Sequence, residues 1–181
     1  MMATIETPPA FAPLALAEVK DYLRIMQDED DALLAGLIRS AAMTCERFVG
    51  MALLQRETRE TIPASAEWRR LTQTPVAAIT GVETRPESGD PAAPATADYE
   101  IDIDGNGDGW VRVTNSGGAR RVTVTYSAGM GADWNAVPEP LRQGIARLVA
   151  HLFTHRDDRD DPGPPAAVAA LWRPWRRMRL S

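Results

Sequence analysis

Three groups of residues have the types and spacing that chemistry requires. The first is Asp102-Ile-Asp104-Gly-Asn106-Gly-Asp108-Gly109, with side-chain oxygens at alternate positions. That is the layout of a calcium loop, whose ligands are hard oxygens. An EF-hand closes its shell with a bidentate Glu at the twelfth position, between two helices. Counted from Asp102, that position is Val113, and both flanks alternate like strands. A tight hairpin turn fits better, because Asn and Gly tolerate the positive φ such turns need. Weak cation binding by the aspartates stays open. The second group is His151 and His155, four residues apart on a predicted helix and so on one face. A zincin motif places a glutamate directly after its first histidine, whereas here Leu152 follows and no base is in place. A helix-end or surface role is favoured, since histidine complements the dipole of a helix C-terminus. The third is the single cysteine, Cys45. A Cys–His pair would need one of the two distant histidines, and Cys45 lies in an apolar helical stripe, where cysteine acts as a small hydrophobe. Nucleophile-elbow, phosphate-loop and dinucleotide-loop motifs are absent, and Gly105–Gly107–Gly109 sits inside a hairpin and opens no helix. No cofactor and no enzymatic activity are expected.

The C-terminal segment is of another kind. Residues 171–181 hold four arginines, two tryptophans and no acid, a charge of +4. The whole chain carries −5, so the other 170 residues carry −9. Trp and Arg are the residues most enriched at interface hot spots. Trp172, Arg173, Trp175, Arg176, Arg177, Met178, Arg179 and Leu180 are therefore a candidate arm for an external partner. Two other readings stay open: the arm folds back with its tryptophans as core filler, or it grips nucleic acid through phosphates and bases. The acidic body weighs against the last.

The elements that position these groups follow from periodicity. Leu16, Val19, Leu23 and Met26 mark a helix over 14–27. Leu34, Leu37, Ile38, Ala41, Cys45, Phe48 and Val49 mark a second over 29–50, with acids at its start and Gly50 as its stop. Residues 53–126 are β-rich. Candidate strands are Leu53–Ile62, Trp68–Thr72, Val76–Thr84, Tyr99–Ile103, Trp110–Val113 and Val122–Tyr126, and a Pro-rich surface loop covers 85–97. A helix returns over 138–155, with Pro138 and Pro140 in its first turn. The predicted fold is α+β: a helical domain of two N-terminal helices and one C-terminal helix, an inserted small antiparallel β-meander, and a C-terminal arm. Residues 1–13 form an extended Pro-rich lead-in, 14–155 the main domain, and 156–181 a charged hinge and the arm. With 181 residues the chain has the size of one domain plus an appendage. No apolar run approaches the roughly 18 residues of a membrane span. The N-terminus lacks the basic start and apolar stretch of a secretory signal. One cysteine permits no intramolecular disulfide, so assembly inside a cell is the simplest expectation. Lys20 is the only lysine, which leaves nineteen arginines to make the cationic contacts.

Taken in order, several segments carry a resemblance: Pro13-Leu-Ala-Leu-Ala-Glu-Val-Lys20-Asp-Tyr-Leu-Arg24, Asp30 to Ile38, Cys45 to Gly50, Val124-Thr-Tyr-Ser-Ala-Gly-Met-Gly131, Val137 to Ile145, and the closing Trp-Arg-Pro-Trp-Arg-Arg-Met-Arg-Leu. Together they resemble the head–tail connector (adaptor or head-completion) proteins of tailed bacteriophages, and especially the version found in gene transfer agents. The resemblance covers about residues 13–155 and the tail. It implies a structural protein without catalysis, placed in the neck of a phage-like particle and assembled in the bacterial cytoplasm. It implies a homo-oligomeric, typically dodecameric, ring beneath the portal protein. The ring would extend the channel for double-stranded DNA without binding it tightly and offer a platform to a stopper or tail-terminator type neck protein, with no membrane involved. The Trp172–Leu180 arm becomes the candidate portal-docking element. Gly105, Asn106, Gly107 and Asp108, with the 85–97 loop, become candidates for subunit or tail-side contacts. Relatives often begin the first helix with Thr or Ser where this chain has Ala15, so the capping hydroxyl is missing.

Overall fold

The computed structural model describes residues 2–5, 13–85, 93–95, 98–155 and 164–177. The chain divides into two compact units. One comprises Met1–Pro9 with Gln55–Met130, and the other Ala10–Leu54 with Gly131–Ser181.

The first unit is built of antiparallel strands: β1 (Met2–Ile5), β2 (Arg56–Pro63), β3 (Arg69–Arg70), β4 (Val76–Arg85), β5 (Tyr99–Ile103), β6 (Gly109–Val113) and β7 (Arg121–Ala128). They form two sheets, in the orders β1-β2-β7-β4 and β3-β6-β5. The expected simple meander is thus divided, because β7 has two flanks and accepts β2 on one and β4 on the other. Its alternate residues Val122, Val124, Tyr126 and Ala128 enter a core with Ile62, Leu71, Val76, Val82, Val111 and Val113. Each buried Val or Ile there contributes about 1.5–3 kcal/mol. The N-terminal lead-in includes one of these strands, since Met2–Ile5 pairs with Ile5↔Thr58 to Met2↔Thr61 on β2. The expected strand at 68–72 shortens to Arg69–Arg70.

The second unit is helical: α1 (Pro13–Leu23), α2 (Asp31–Val49), α3 (Glu139–Thr154) and α4 (Ala166–Trp172). Leu34, Ile38, Ala41, Cys45 and Val49 are the buried stripe of α2. Gly50, at φ 74°, ends this helix and donates its N–H to Glu46 O at 2.8 Å. Leu141, Ile145, Leu148 and Val149 are buried on α3, which packs against α2. The first helix is shorter than expected: it stops at Leu23, and Arg24 turns the chain at φ 56°. Ala15 lies inside its first turn and is buried, so a cap is not the role of that position. Lys20 then ties the end of α1 to the start of α2, with Nζ 2.6 Å from Asp28 and 2.7 Å from Asp31. The Asp28 hydrogen bond, with that of Asp31, holds the Lys20 ammonium above its ordinary value, and Lys20 holds the Asp28 carboxyl below its own.

Candidate interaction surfaces

The arm begins in the helical core. Trp172 closes α4 and has 0% of its surface exposed. Its indole lies 5.7 Å from the Phe48 ring at a tilt of 59°. Room for it comes from Gly144 on α3, where any Cβ would stand 2.0 Å from the indole Nε1. Trp172 therefore does what a core aromatic does, and the arm starts from a fixed point. Arg173–Trp175 form a single 3₁₀ turn. The chain then runs along the end of α2: the Arg176 guanidinium lies 5.8 Å from the Phe48 ring, and Arg177 donates its backbone N–H to Val49 O at 2.9 Å. That bond satisfies one of the carbonyls a helix C-terminus leaves unpaired, and arginines there complement the helix dipole. Arg173 and Arg176 are exposed, and Trp175 and Arg177 half-buried. Met178, Arg179 and Leu180 lie outside the described residues, as do residues 86–92 and 96–97 of the Pro-rich loop and 156–163 of the hinge.

The acidic loop is a hairpin between β5 and β6. Asp104 organises it: Oδ1 accepts the N–H groups of Asn106 at 2.8 Å and Asp108 at 3.0 Å, and Oδ2 accepts Trp110 Nε1 at 3.1 Å. Gly107, at φ 76°, brings its carbonyl to Val76 N at 2.8 Å, and a Cβ there would stand 2.8 Å from Pro75. Asp108 turns inward, accepting from Thr74 Oγ1 at 3.2 Å with Arg70 at 3.5 Å. These oxygens hold a turn together, and no His/Cys/Asp/Glu cluster suited to a metal occurs among the described residues. Of the four residues expected to make contacts, Gly105 and Asn106 are exposed, Gly107 is partly covered, and Asp108 is buried.

The remaining candidates are the two histidines and the cysteine. His151 and His155 stack at 4.5 Å between centroids at the end of α3, where His155 N donates to His151 O at 2.9 Å. Cys45 is buried, and that burial pushes its thiol up, away from the thiolate a nucleophile needs. One group was not anticipated. Glu60 on β2 is fully buried; its Oε2 accepts Thr72 N at 2.8 Å and Tyr126 Oη at 2.9 Å, and its Oε1 accepts Thr72 Oγ1 at 2.5 Å. Burial, reinforced by Glu60, pushes the Tyr126 phenol up. The inward residues of β2 are Arg56, Thr58, Glu60 and Ile62, three of them polar, so hydrophobic alternation could not reveal this face.

A model of the head completion protein family matches residues 14–161. The chain belongs to that family. Three solved structures are similar over its whole length. They are the neck of an empty gene transfer agent particle, computed with C6 symmetry (26% identity, TM-score 0.81), the virion of a native gene transfer agent particle (25%, 0.79), and the neck of a native particle, computed with C12 symmetry (27%, 0.78). Each match covers 100% of this chain and 98% of the other. No curated protein matches it. The α+β class expected for this head completion protein is the class observed, with four α-helices and two antiparallel sheets among the described residues where three helices and one meander were expected. No helix among its described residues is long and apolar enough to cross a membrane.

Proposed function

We propose that this head completion protein is a structural component of the neck of a phage-like particle. It acts as an adaptor that forms a ring under the portal, extends the DNA channel, and gives a stopper or tail-terminator type protein its platform. The observation that carries this reading is the full-length likeness to proteins of gene transfer agent necks, added to family membership over most of the chain. The chemistry agrees. Cys45 is an inert core residue, the histidines close a helix, and the aspartates build a hairpin, so the work is done by surfaces. A body of charge −9 repels phosphate, which suits a conduit through which DNA must slide. The arm of charge +4 docks on the portal through Arg173, Trp175, Arg176, Arg177 and the residues beyond, with Trp172 as its anchor. Gly105 and Asn106 at the hairpin tip are placed for subunit or tail-side contact.

The test is truncation after Trp175 combined with Arg173→Ala and Trp175→Ala, which removes every docking side chain named and leaves the Trp172 anchor in the core. Particles from a producing cell should then contain filled heads and free tails that fail to join. Normal joining would refute the docking role of the arm. Salt-dependent binding of the intact protein to duplex DNA would favour the nucleic-acid reading of the arm instead.

A further inference from the structure

A solvated helix face is normally charged. The outer face of α2 carries charge only at Arg39 and Arg47. Half a turn from its buried stripe lie Ala32, Leu33, Gly36, Ser40 and Met43, with Arg39 on one flank and Arg47 at the C-terminal end. Leu33 is 40% exposed and Met43 60%. A second surface of the same unit lies where α1 meets α3. It is a cavity of about 230 Å³ lined by Glu18, Tyr22, Glu139, Gln143, Ala146 and Arg147. Glu139, Gln143 and Arg147 recur every fourth residue on the solvent side of α3, opposite buried Leu141, Ile145 and Leu148. Tyr22 is 55% exposed, and the exposed Asp21 is its chain neighbour.

We propose that the outer face of α2 in one copy seats in the α1/α3 groove of a second copy. Met43 enters beside Tyr22 and Ala146. Arg39 and Arg47 meet the carboxylates of Asp21 and of Glu18, whose Oε2 also accepts from Trp134 Nε1 of its own chain. Glu139 is already paired with Arg142 of its own chain, and Arg147 is the one cation among the lining residues. The two surfaces differ in shape and in charge, and such a pair makes a head-to-tail contact, the kind that closes into a ring when the rotation per copy is right. A two-fold dimer would need one self-complementary face instead. The contact is also small. The 19 residues of α2 span roughly 28 Å, and a strip about 10 Å wide covers about 300 Å². A stable pair needs about 800 Å² per partner. Copies joined by this face alone therefore associate weakly in solution and hold firmly only when closure or another ring adds contacts.

This inference rests on the neck-ring reading and is tested apart from it. Met43→Cys and Tyr22→Cys are placed in separate full-length chains, both at exposed sites, with buried Cys45 retained. Under mild oxidation the mixture should yield a crosslinked heterodimer. Each variant alone should stay monomeric, and a chain carrying both should form a ladder. Adding Arg39→Glu and Arg47→Glu to the Met43→Cys chain should lower the yield severalfold. A Met43→Cys homodimer, or a mixture that does not crosslink, overturns the contact. The neck reading is scored separately, by whether the wild-type chain is found in tailed particles. Its presence there without the heterodimer crosslink removes only the α2 contact, and its absence removes the reading itself.

Discussion

The fit between Gly144 and Trp172 makes a prediction in which one substitution changes sign with its background. Gly144 lies in the interior of α3, where glycine is about 1 kcal/mol worse than alanine. Helix propensity alone therefore predicts that Gly144→Ala stabilises the protein. Packing predicts the reverse, because the new methyl carbon would stand 2.0 Å from the Trp172 Nε1, 2.7 Å from Cε2 and 2.8 Å from Cδ1. Three atoms of one rigid ring cannot all retreat within a filled core, so the indole must leave. Its hydrogen bond to Leu141 O is long, at 3.4 Å, and adds little. The loss is then that of a fully buried Trp, about 3–5 kcal/mol. Set against the propensity gain, Gly144→Ala should destabilise by about 2–4 kcal/mol. At about 2–4 °C per kcal/mol for a chain of this size, Tm falls by roughly 5–15 °C. Trp172→Ala alone should lose about 3–5 kcal/mol. In that background the obstacle is gone, and Gly144→Ala should stabilise by about 1 kcal/mol. Urea unfolding of the four proteins, followed by far-UV circular dichroism, gives the complete cycle. Stabilisation by Gly144→Ala in both backgrounds would refute the reasoning, since the indole would then not occupy the space that glycine leaves. Gly144→Ala should also expose the Arg176–Arg177 peptide bond to trypsin, because the arm loses its anchor.

Four further outcomes are expected. Glu60→Gln should be tolerated at about 1 kcal/mol, because Thr72 Oγ1 can turn to accept from the new amide, whereas Glu60→Leu leaves the Thr72 and Tyr126 donors buried and unsatisfied at about 1–3 kcal/mol each; equal losses in urea unfolding would contradict the network. Lys20 should contribute to stability between the ordinary carboxylate and lysine ranges. Its raised value makes the contribution complete below the ordinary lysine value and lost as pH rises through the higher folded one, and the lowered Asp28 makes its share present above the ordinary carboxylate value and lost as pH falls through the lower folded one. The Tm difference between wild type and Lys20→Met should thus be level near neutrality and vanish in strong acid, and a difference that grows in acid would disprove the tie. Asp104→Ala removes the acceptor of three N–H groups and should destabilise the hairpin by about 1–3 kcal/mol. Millimolar calcium should leave the wild-type melting curve unchanged, and a calcium-dependent rise in Tm would restore the cation-loop reading.

Wherever one element's own periodicity is enough, the sequence alone determined the outcome. Leu34, Ile38, Ala41, Cys45 and Val49 can share a face only on a helix, and Gly50 can end it at positive φ without strain, so α2 was legible as it stands. Val122, Val124 and Tyr126 alternate as a buried strand must. The hairpin at Asp104–Gly109 was readable from its Asn and Gly residues, and the order of segments along the chain was enough to point to the head completion family. Tertiary structure decided what depends on partners distant in the chain. That β7 takes β2 and β4 on its two edges, and that Met2–Ile5 joins the same sheet, follows from pairings across dozens of residues that no local pattern encodes. Nothing in the local pattern of β2 marks Glu60 as buried, because Thr72 and Tyr126, which close around it, come from elsewhere in the chain. Trp172 was open to two readings from the sequence, a docking hot spot or core filler, and the gap at Gly144, 28 residues earlier, decides for the core. A side chain's type and spacing state which contacts it is able to make, and burial chooses among them, because the desolvation that separates an anchor from an exposed contact exists only once the chain has packed.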